Sequence, residues 1–303
     1  MGVVRDYVKL HFIVLIWGFT AILGLLISIP SVELVFYRTL LATVILYFLM
    51  CYRQRNFRLG LSEILKMIGT GMLISAHWIL FFASARVSTA SVCLAGLATC
   101  SLWTSLLEPL MGKKKVKMLE VGLGMMVILG LYVIFRFEFD HALGLGMALV
   151  SAFLAALFSV INSRFTKRHN HYMITYYEMM GACLGTVMFF PFYSIYFTDR
   201  AGLQLVPTLT DWFYIGILSL ICTVYAYSVW VELMKRFSAF VINLTVNLEP
   251  IYGIVLALLF FGEKEKMQSG FYIGTAVMLL SVLSYPAVDR YYKRKAMRID
   301  PIR

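Results

Sequence analysis

Long apolar runs alternate with short polar segments along the whole chain. A helix that crosses a bilayer needs roughly 20 predominantly apolar residues, so each run predicts a transmembrane helix. The ten predicted spans are residues 10–29, 32–52, 62–84, 88–110, 118–136, 142–163, 172–197, 211–234, 238–261 and 268–289. The pattern therefore predicts an all-α integral membrane protein with ten transmembrane helices.

The composition excludes a soluble domain of ordinary kind. Of 303 residues, 61% are apolar and 14% are charged, and the mean hydropathy is +0.82. Soluble domains have about 45–50% apolar and about 25% charged residues. Ten spans of this length would occupy about 200 residues, which leaves room only for short loops and tails.

The five cysteines are an odd number and form no C-x-x-C pair. They are Cys51, Cys93, Cys100, Cys183 and Cys222. Because each falls in or beside an apolar run, we expect small core residues rather than disulfides or metal ligands.

The distribution of positive charge predicts the orientation of the chain. The net charge is +11. If the N-terminus is cytoplasmic, the inside segments hold 21 Lys and Arg residues and the outside segments hold five. The positive-inside rule then places both termini in the cytoplasm. The membrane that we expect the chain to cross is the cytoplasmic (inner) membrane. This topology explains the excess of positive charge, so nucleic acid is not an expected partner. A lipid-binding role for the C-terminal KRK is the minor alternative.

A weak internal repeat divides the chain into two halves. GKKKVKMLEVGLGMMVILGL after the fourth span aligns with GEKEKMQSGFYIGTAVMLLS after the ninth at a constant offset of 150 residues. The matched pairs are Gly112 with Gly262, Lys114 with Lys264, and Gly124 with Gly274. An odd number of spans per half makes the halves inverted, as in many secondary transporters. We expect one five-helix repeat at 1–137 and a second at 138–303, which ends in a short basic tail.

The chain resembles the ten-helix EamA-type branch of the drug/metabolite transporter superfamily. The resemblance rests on the two halves, IWGFT in the first span, the arginine of FYRTLLA in the second, and NLEPIYGIVLALLFFGEKEKMQSGFYIG across the last two. It implies metabolite transport or efflux without a cofactor. The fourth span has Thr99 and Cys100 where the family often has a proline, and its own Pro109 lies near the cytoplasmic end. Equal unwinding of both halves therefore does not follow from the sequence.

The ninth span carries an acidic residue beside a proline. Pro250 lacks an N–H and frees a carbonyl one turn back, so a helix break is expected next to Glu249. At about 100° per residue, Asn243 and Asn247 share one face and Glu249 lies nearly opposite, so we expect that the two faces cannot line one cavity. We expect the asparagines to contact substrate and Glu249 either to carry a proton or to hold the tenth helix. The alternative is a structural carboxylate bonded to backbone N–H groups at the break.

Polar residues recur at helical spacing in three other spans. They are Thr70, His77 and Ser84 beside Trp78 in the third span; Ser151, Ala155, Ser159 and Asn162 in the sixth; and Ser219, Thr223, Tyr227 and Trp230 in the eighth. Such stripes should face the interior of the bundle. His77 is a candidate ligand for a carboxylate or a histidine bonded to a neighbouring helix. The sixth-span stripe favours close helix packing, and the eighth-span stripe favours a cavity for an amphipathic metabolite.

Two tryptophans and two charges complete the candidate residues. Trp17 and Trp103 lie too deep for the interfacial aromatic belt, to which Trp212 and Tyr291 are assigned. Arg38 and Glu178 occupy equivalent places in the second and seventh spans, and charges at membrane depth default to a functional hypothesis. Because the halves are inverted, a direct pair is not expected, and each charge is a candidate for gating or coupling on its own side.

The sequence therefore predicts a secondary transporter that moves amino acids or similar small amphipathic metabolites outward by alternating access. The predicted substrate-binding residues are Trp17, His77, Trp78, Thr99, Trp103, Asn162, Thr223, Tyr227, Trp230, Asn243 and Asn247. The coupling or gating residues are Arg38, Glu178 and Glu249. No enzyme or nucleotide-binding motif is present, so we expect proton coupling or facilitated diffusion. The expected partners are the substrate, the bilayer and protons, in a monomer or homodimer. The competing hypotheses are an intramembrane lipid enzyme, with Glu249 and His77 as acid and base, and a membrane scaffold or assembly partner.

Overall fold

The computed structural model describes residues 2–54, 58–113, 118–137, 139–198, 202–265 and 267–299. Within these ranges every regular element is helical. The α-helices are α1 (Gly2–Gly18), α2 (Thr20–Leu26), α3 (Ser31–Tyr52), α4 (Leu61–Val87), α5 (Ala90–Leu97), α6 (Cys100–Gly112), α7 (Met118–Phe137), α8 (Ala142–Phe165), α9 (His171–Tyr196), α10 (Leu209–Ile217), α11 (Ala226–Leu233), α12 (Ala239–Val246), α13 (Glu249–Phe261) and α14 (Ser269–Ile299). Lys114 of the aligned repeat and residue 138 at the expected boundary lie outside the described residues.

Eight segments of the described chain are long and apolar enough to cross a membrane. They are Val4–Leu26, Ser31–Tyr52, Leu61–Val87, Ala90–Gly112, Ala142–Phe165, His171–Tyr196, Leu209–Leu233 and Ala239–Phe261. These coincide with eight of the ten predicted spans, while the fifth and tenth predicted spans fall on α7 and α14, which pack along each other. The chain is a multi-pass membrane protein of all-helical fold.

The two halves of the chain interlock rather than stand side by side. Helix α4 packs on α8 and α9, and the eighth span, α10 to α11, packs on α1 and α3. Likewise α1 contacts α13, and α8 contacts α5 and α6. Each of these contacts between the halves is matched by a second contact, in which the equivalent span of the other half takes the place of each partner.

Glycines permit the closest of these helix crossings. A Cβ on Gly71 of α4 would lie 2.1 Å from the carbonyl oxygen of Glu178, and one on Gly181 of α9 would lie 2.2 Å from that of Ile68. Small residues let helix backbones approach in this way inside a bilayer. Any side chain at either position would push α4 and α9 apart.

Four spans depart from α-helical geometry away from their ends. The first breaks at Phe19 between α1 and α2, the fourth at 98–99 between α5 and α6, and the ninth at 247–248 between α12 and α13. The eighth contains a π-helical segment, Leu218–Tyr225. The fourth span breaks without the family's proline because Thr99 satisfies the Gly96 carbonyl through both its N–H and its hydroxyl, a local bond that competes with the α-helical pattern.

Candidate functional site

A buried cavity lies where these four irregular spans meet. Its volume is about 70 Å³; a single water needs about 10–15 Å³, so it holds several water-sized groups. Its lining residues are Trp17, Thr20, Arg38, His77, Trp78, Phe81, Leu97, Cys100, Ala155, Phe158, Ser159, Tyr227, Trp230, Asn243, Val246 and Glu249. Irregular backbone at membrane depth is tolerated where it lines such a cavity.

The cavity wall carries one guanidinium and one carboxyl. Arg38 is 2% exposed and Glu249 is 4% exposed. The ion pairs of the described residues include neither of them, although their charges attract each other. A buried charge without a close counter-ion is costly, so each is poised for an opposite charge on a ligand.

Arg38 is held in place by the π-helical segment and by an aromatic ring. Its Nε donates to Thr223 Oγ1 at 2.8 Å, and the Thr223 hydroxyl donates to the Leu218 carbonyl five residues back. The guanidinium carbon lies 3.8 Å from the centroid of the Trp78 ring, which is a cation–π contact. These contacts fix the guanidinium plane of a residue that lines the cavity.

Glu249 reaches the cavity because of the helix break beside it. The expectation that the asparagine face and Glu249 cannot line one cavity is wrong for Asn243, which lines it together with Glu249. Helical phasing stops at 247–248, so the 100° rule does not carry from α12 into α13. Asn247 turns away and its Nδ2 donates to Ser101 Oγ at 2.7 Å.

The remaining wall is largely aromatic. Trp230 lies 5.1 Å from Tyr227, 5.8 Å from Phe158 and 6.0 Å from Trp17, measured between ring centroids. The indole N–H of Trp17 donates to the Cys222 carbonyl at 3.0 Å. The Trp230 Nε1 is buried without a hydrogen-bond partner in the described structure. A buried donor without an acceptor at a cavity wall suits a polar ligand atom.

His77 is a cavity-lining histidine that is bonded to a neighbouring helix. It lines the cavity, and its Nδ1 lies 2.9 Å from the Ser151 carbonyl oxygen and 2.7 Å from the Ser151 hydroxyl. The third-span stripe is buried as predicted, with Thr70 and Ser84 also inside the bundle. His77 is therefore a wall residue whose orientation is fixed by α8.

A second carboxyl lies behind the cavity wall. Tyr227 donates to Glu178 Oε2 at 3.0 Å and accepts from Asn162 Nδ2 at 2.9 Å. Glu178 and Asn162 are fully buried, and one oxygen of each has no partner in the described structure. The ion pairs of the described residues include neither Arg38 nor Glu178. Both bond to the eighth span, one turn apart, through Thr223 and Tyr227.

Several predicted residues support the wall without lining it. Thr99 bonds within its own helix break, and Trp103 packs edge-on to Phe153. Asn243 combines both roles, because its Nδ2 also donates to Thr104 Oγ1 at 2.8 Å. Of the predicted substrate-binding residues, Trp17, His77, Trp78, Tyr227, Trp230 and Asn243 line the cavity, whereas Thr99, Trp103, Asn162, Thr223 and Asn247 do not.

Half of the lining residues were not among the predicted site residues. They are Thr20, Phe81, Leu97, Cys100, Ala155, Phe158, Ser159 and Val246. Most are apolar and look like core residues. The sixth-span stripe did signal Ala155 and Ser159, but small residues there equally favour packing.

Comparisons with known proteins agree with this architecture. The uncharacterized transporter YxxF of Bacillus subtilis (strain 168) is 24% identical over 244 residues, which cover 79% of this chain and 76% of that protein. A protein of known crystal structure is similar in fold, with a TM-score of 0.66 over 92% of this chain and 95% of that one at 14% identity.

The family comparison covers nearly the whole chain in two consecutive segments. The model of the EamA-like transporter family matches residues 8–136 and 142–285. The two segments meet close to the boundary expected from the repeat. Together with the helical bundle and its central cavity, this match shows that the chain belongs to the EamA-like transporter family.

Proposed function

We propose that the protein is a secondary transporter of zwitterionic amino acids or similar small amphipathic metabolites, which it exports across the cytoplasmic membrane. The observation that carries the proposal is the central cavity whose wall presents one guanidinium, one carboxyl and a cluster of aromatic rings. Family membership supports transport rather than catalysis.

The chemistry of the wall is complementary to an α-amino acid. The terminal nitrogens of Arg38 donate charge-assisted hydrogen bonds to a carboxylate, which Arg binds with bidentate geometry. The Glu249 carboxylate accepts hydrogen bonds from an ammonium group, which also gains cation–π attraction from the tryptophans. The aromatic wall accommodates an apolar side chain.

Alternating access follows from two inverted five-helix repeats around this cavity. The exchanged contacts of the two halves support the repeats, and so do the two consecutive family matches. In this mechanism ten spans place both termini in the cytoplasm, and the halves rock about a site near the bilayer midplane.

The coupling ion in this proposal is the proton, and Glu249 is its carrier. A carboxylate at the cavity can hold either the substrate ammonium or a proton, but not both. Exchange of one for the other couples outward transport to proton entry. Glu178 supports the wall through Tyr227 and is the alternative carrier.

The test uses substrate analogues, which leave the protein unchanged. Purified protein in proteoliposomes should transport an apolar or aromatic amino acid. The corresponding amine without the carboxylate, and the acid without the amino group, should each bind at least about tenfold more weakly, because each leaves a buried charge unpaired. Binding is measured by competition with the labelled amino acid.

Equal competition by the amine or by the acid would overturn zwitterion recognition. Turnover of lipid by the purified protein, with no amino acid flux, would favour the enzyme hypothesis instead.

A further inference from the structure

A second, larger concavity lies at the end of the bundle that carries the α8–α9 turn. Its volume is about 690 Å³, and it shares no lining residue with the central cavity. It is formed by α4, the last residues of α6, and the end of α8 with the turn that follows. We call it the basic groove, and its charged residues are Glu63, Lys66, Arg164, Lys167 and Arg168.

The basic groove has an excess of positive charge. Glu63 already has two side-chain partners: Lys66 Nζ lies 2.7 Å from one oxygen, and His169 Nε2 lies 3.1 Å from the other. Arg164 donates to the carbonyl of Met111 at the end of α6, which orients its guanidinium across the groove. Lys167 and Arg168 are exposed, and the ion pairs of the described residues include neither.

An apolar strip runs from this charged rim toward the middle of the bundle. Leu73 lies seven residues beyond Lys66 on α4, about 10 Å along the helix axis, and Ile161 and Phe165 of α8 line the same groove. Gly69 lies between the rim and Leu73, and a Cβ there would meet nothing within 4 Å. A charged rim above an apolar strip matches a phospholipid headgroup above its acyl chain.

We propose that the basic groove binds an anionic phospholipid of the inner leaflet. Its phosphate contacts Arg164, Lys167 and Arg168, and one acyl chain lies along Leu73 and Ile161. Basic pockets between transmembrane helices on the cytoplasmic side take anionic headgroups. The choice of leaflet rests on the orientation in the proposed function. Because the lipid bridges α4 and α6 to α8, it stabilises contact between the two halves.

The first measurement is direct lipid binding to the purified full chain in neutral detergent. Phosphatidylglycerol should be retained in native mass spectra and should raise the thermal unfolding midpoint. Phosphatidylcholine with the same acyl chains should do neither. Equal effects of both lipids would overturn the proposal.

Paired variants separate the basic groove from general surface charge. Lys167→Gln with Arg168→Gln should weaken phosphatidylglycerol binding about 25-fold, because each membrane-proximal Lys or Arg contributes about fivefold. The control, Arg5→Gln with Lys235→Gln, removes the same charge from exposed positions elsewhere on the chain and should retain the affinity. The same loss in both pairs would contradict a specific site.

A third variant tests the apolar strip with every charge retained. Gly69→Leu should fill the space beside Leu73 and weaken binding of the lipid but not that of glycerol phosphate. If soluble glycerol phosphate raised the thermal unfolding midpoint of the native chain as much as phosphatidylglycerol does, the groove would be an anion site. That result would overturn the lipid assignment. None of these measurements depends on transport, so their failure and the failure of the proposed function are distinguishable.

Discussion

At the scale of single residues, Arg38 and Glu249 supply the guanidinium and the carboxyl of the central cavity. Arg38 is fixed by Thr223 and Trp78, so its guanidinium is held rigidly. Glu249 begins α13 immediately after the break. A carboxylate near a helix N-terminus interacts favourably with the helix dipole, yet it faces the cavity rather than a fixed cation.

The residue-scale prediction is that Glu249→Gln removes amine recognition and proton coupling together. The variant should transport the amino acid and its deaminated analogue with similar apparent affinities, because the amide no longer distinguishes an ammonium group by charge. Substrate flux in proteoliposomes under an imposed pH gradient should no longer follow the gradient. Glu178→Gln is the matched control, and it should retain the discrimination for the amino group. A Glu249→Gln variant that follows the gradient as the native chain does would assign Glu249 a structural role beside Pro250.

At the scale of elements, helix crossings pack the bundle tightly, whereas helix breaks lie beside the cavity. The α4–α9 crossing is tight and regular, with Gly71 and Gly181 facing backbone atoms. The breaks in the first, fourth and ninth spans are instead flanked by residues that line the cavity. A second fixed point lies between spans, where the Ser28 N–H and hydroxyl both donate to the Asp211 carboxylate at 2.7 Å.

The element-scale prediction concerns the α4–α9 crossing. Gly181→Ala should lower stability by about 1–3 kcal/mol, because its Cβ overpacks the interface and the obstructing atom is a backbone carbonyl. Gly146→Ala on α8 is the control, since a Cβ there meets nothing within 4 Å and alanine favours the helix. Thermal unfolding in detergent measures both. A lower midpoint for Gly146→Ala, or no change for Gly181→Ala, would contradict the close crossing.

At the scale of the whole molecule, the exchanged contacts of the halves are consistent with the opposite orientations in the bilayer that the proposed function requires. In the proposed orientation the cationic loops that follow α3 and α8 lie on the cytoplasmic side, and residues 202–208 lie outside. The positive-inside rule gives the same orientation from charge alone.

The molecule-scale prediction is a labelling pattern in intact cells. In a Cys51→Ser background, a cysteine at Gly60 should resist a membrane-impermeant maleimide until the cells are permeabilised. A cysteine at Val206, which is 88% exposed, should react without permeabilisation. The reverse pattern would place both termini outside.

The sequence by itself determined the class of the fold. Apolar run length decides which segments can cross a bilayer, and this is a local property of the chain. The third- and eighth-span stripes could also be predicted from the sequence, because residues at helical spacing lie on one face of a regular helix. His77, Tyr227 and Trp230 were found in this way.

Only the tertiary structure decided which of these residues share a cavity. Helical phasing fails at a break, so the joint position of Asn243 and Glu249 could not be read from spacing. The fourth span breaks at Thr99 without a proline, through side-chain and backbone bonds to one carbonyl. Apolar lining residues such as Phe158 carry no signal that separates a cavity wall from a packed core. That difference depends on whether the opposite wall comes within contact distance, and packing between distant segments sets this distance.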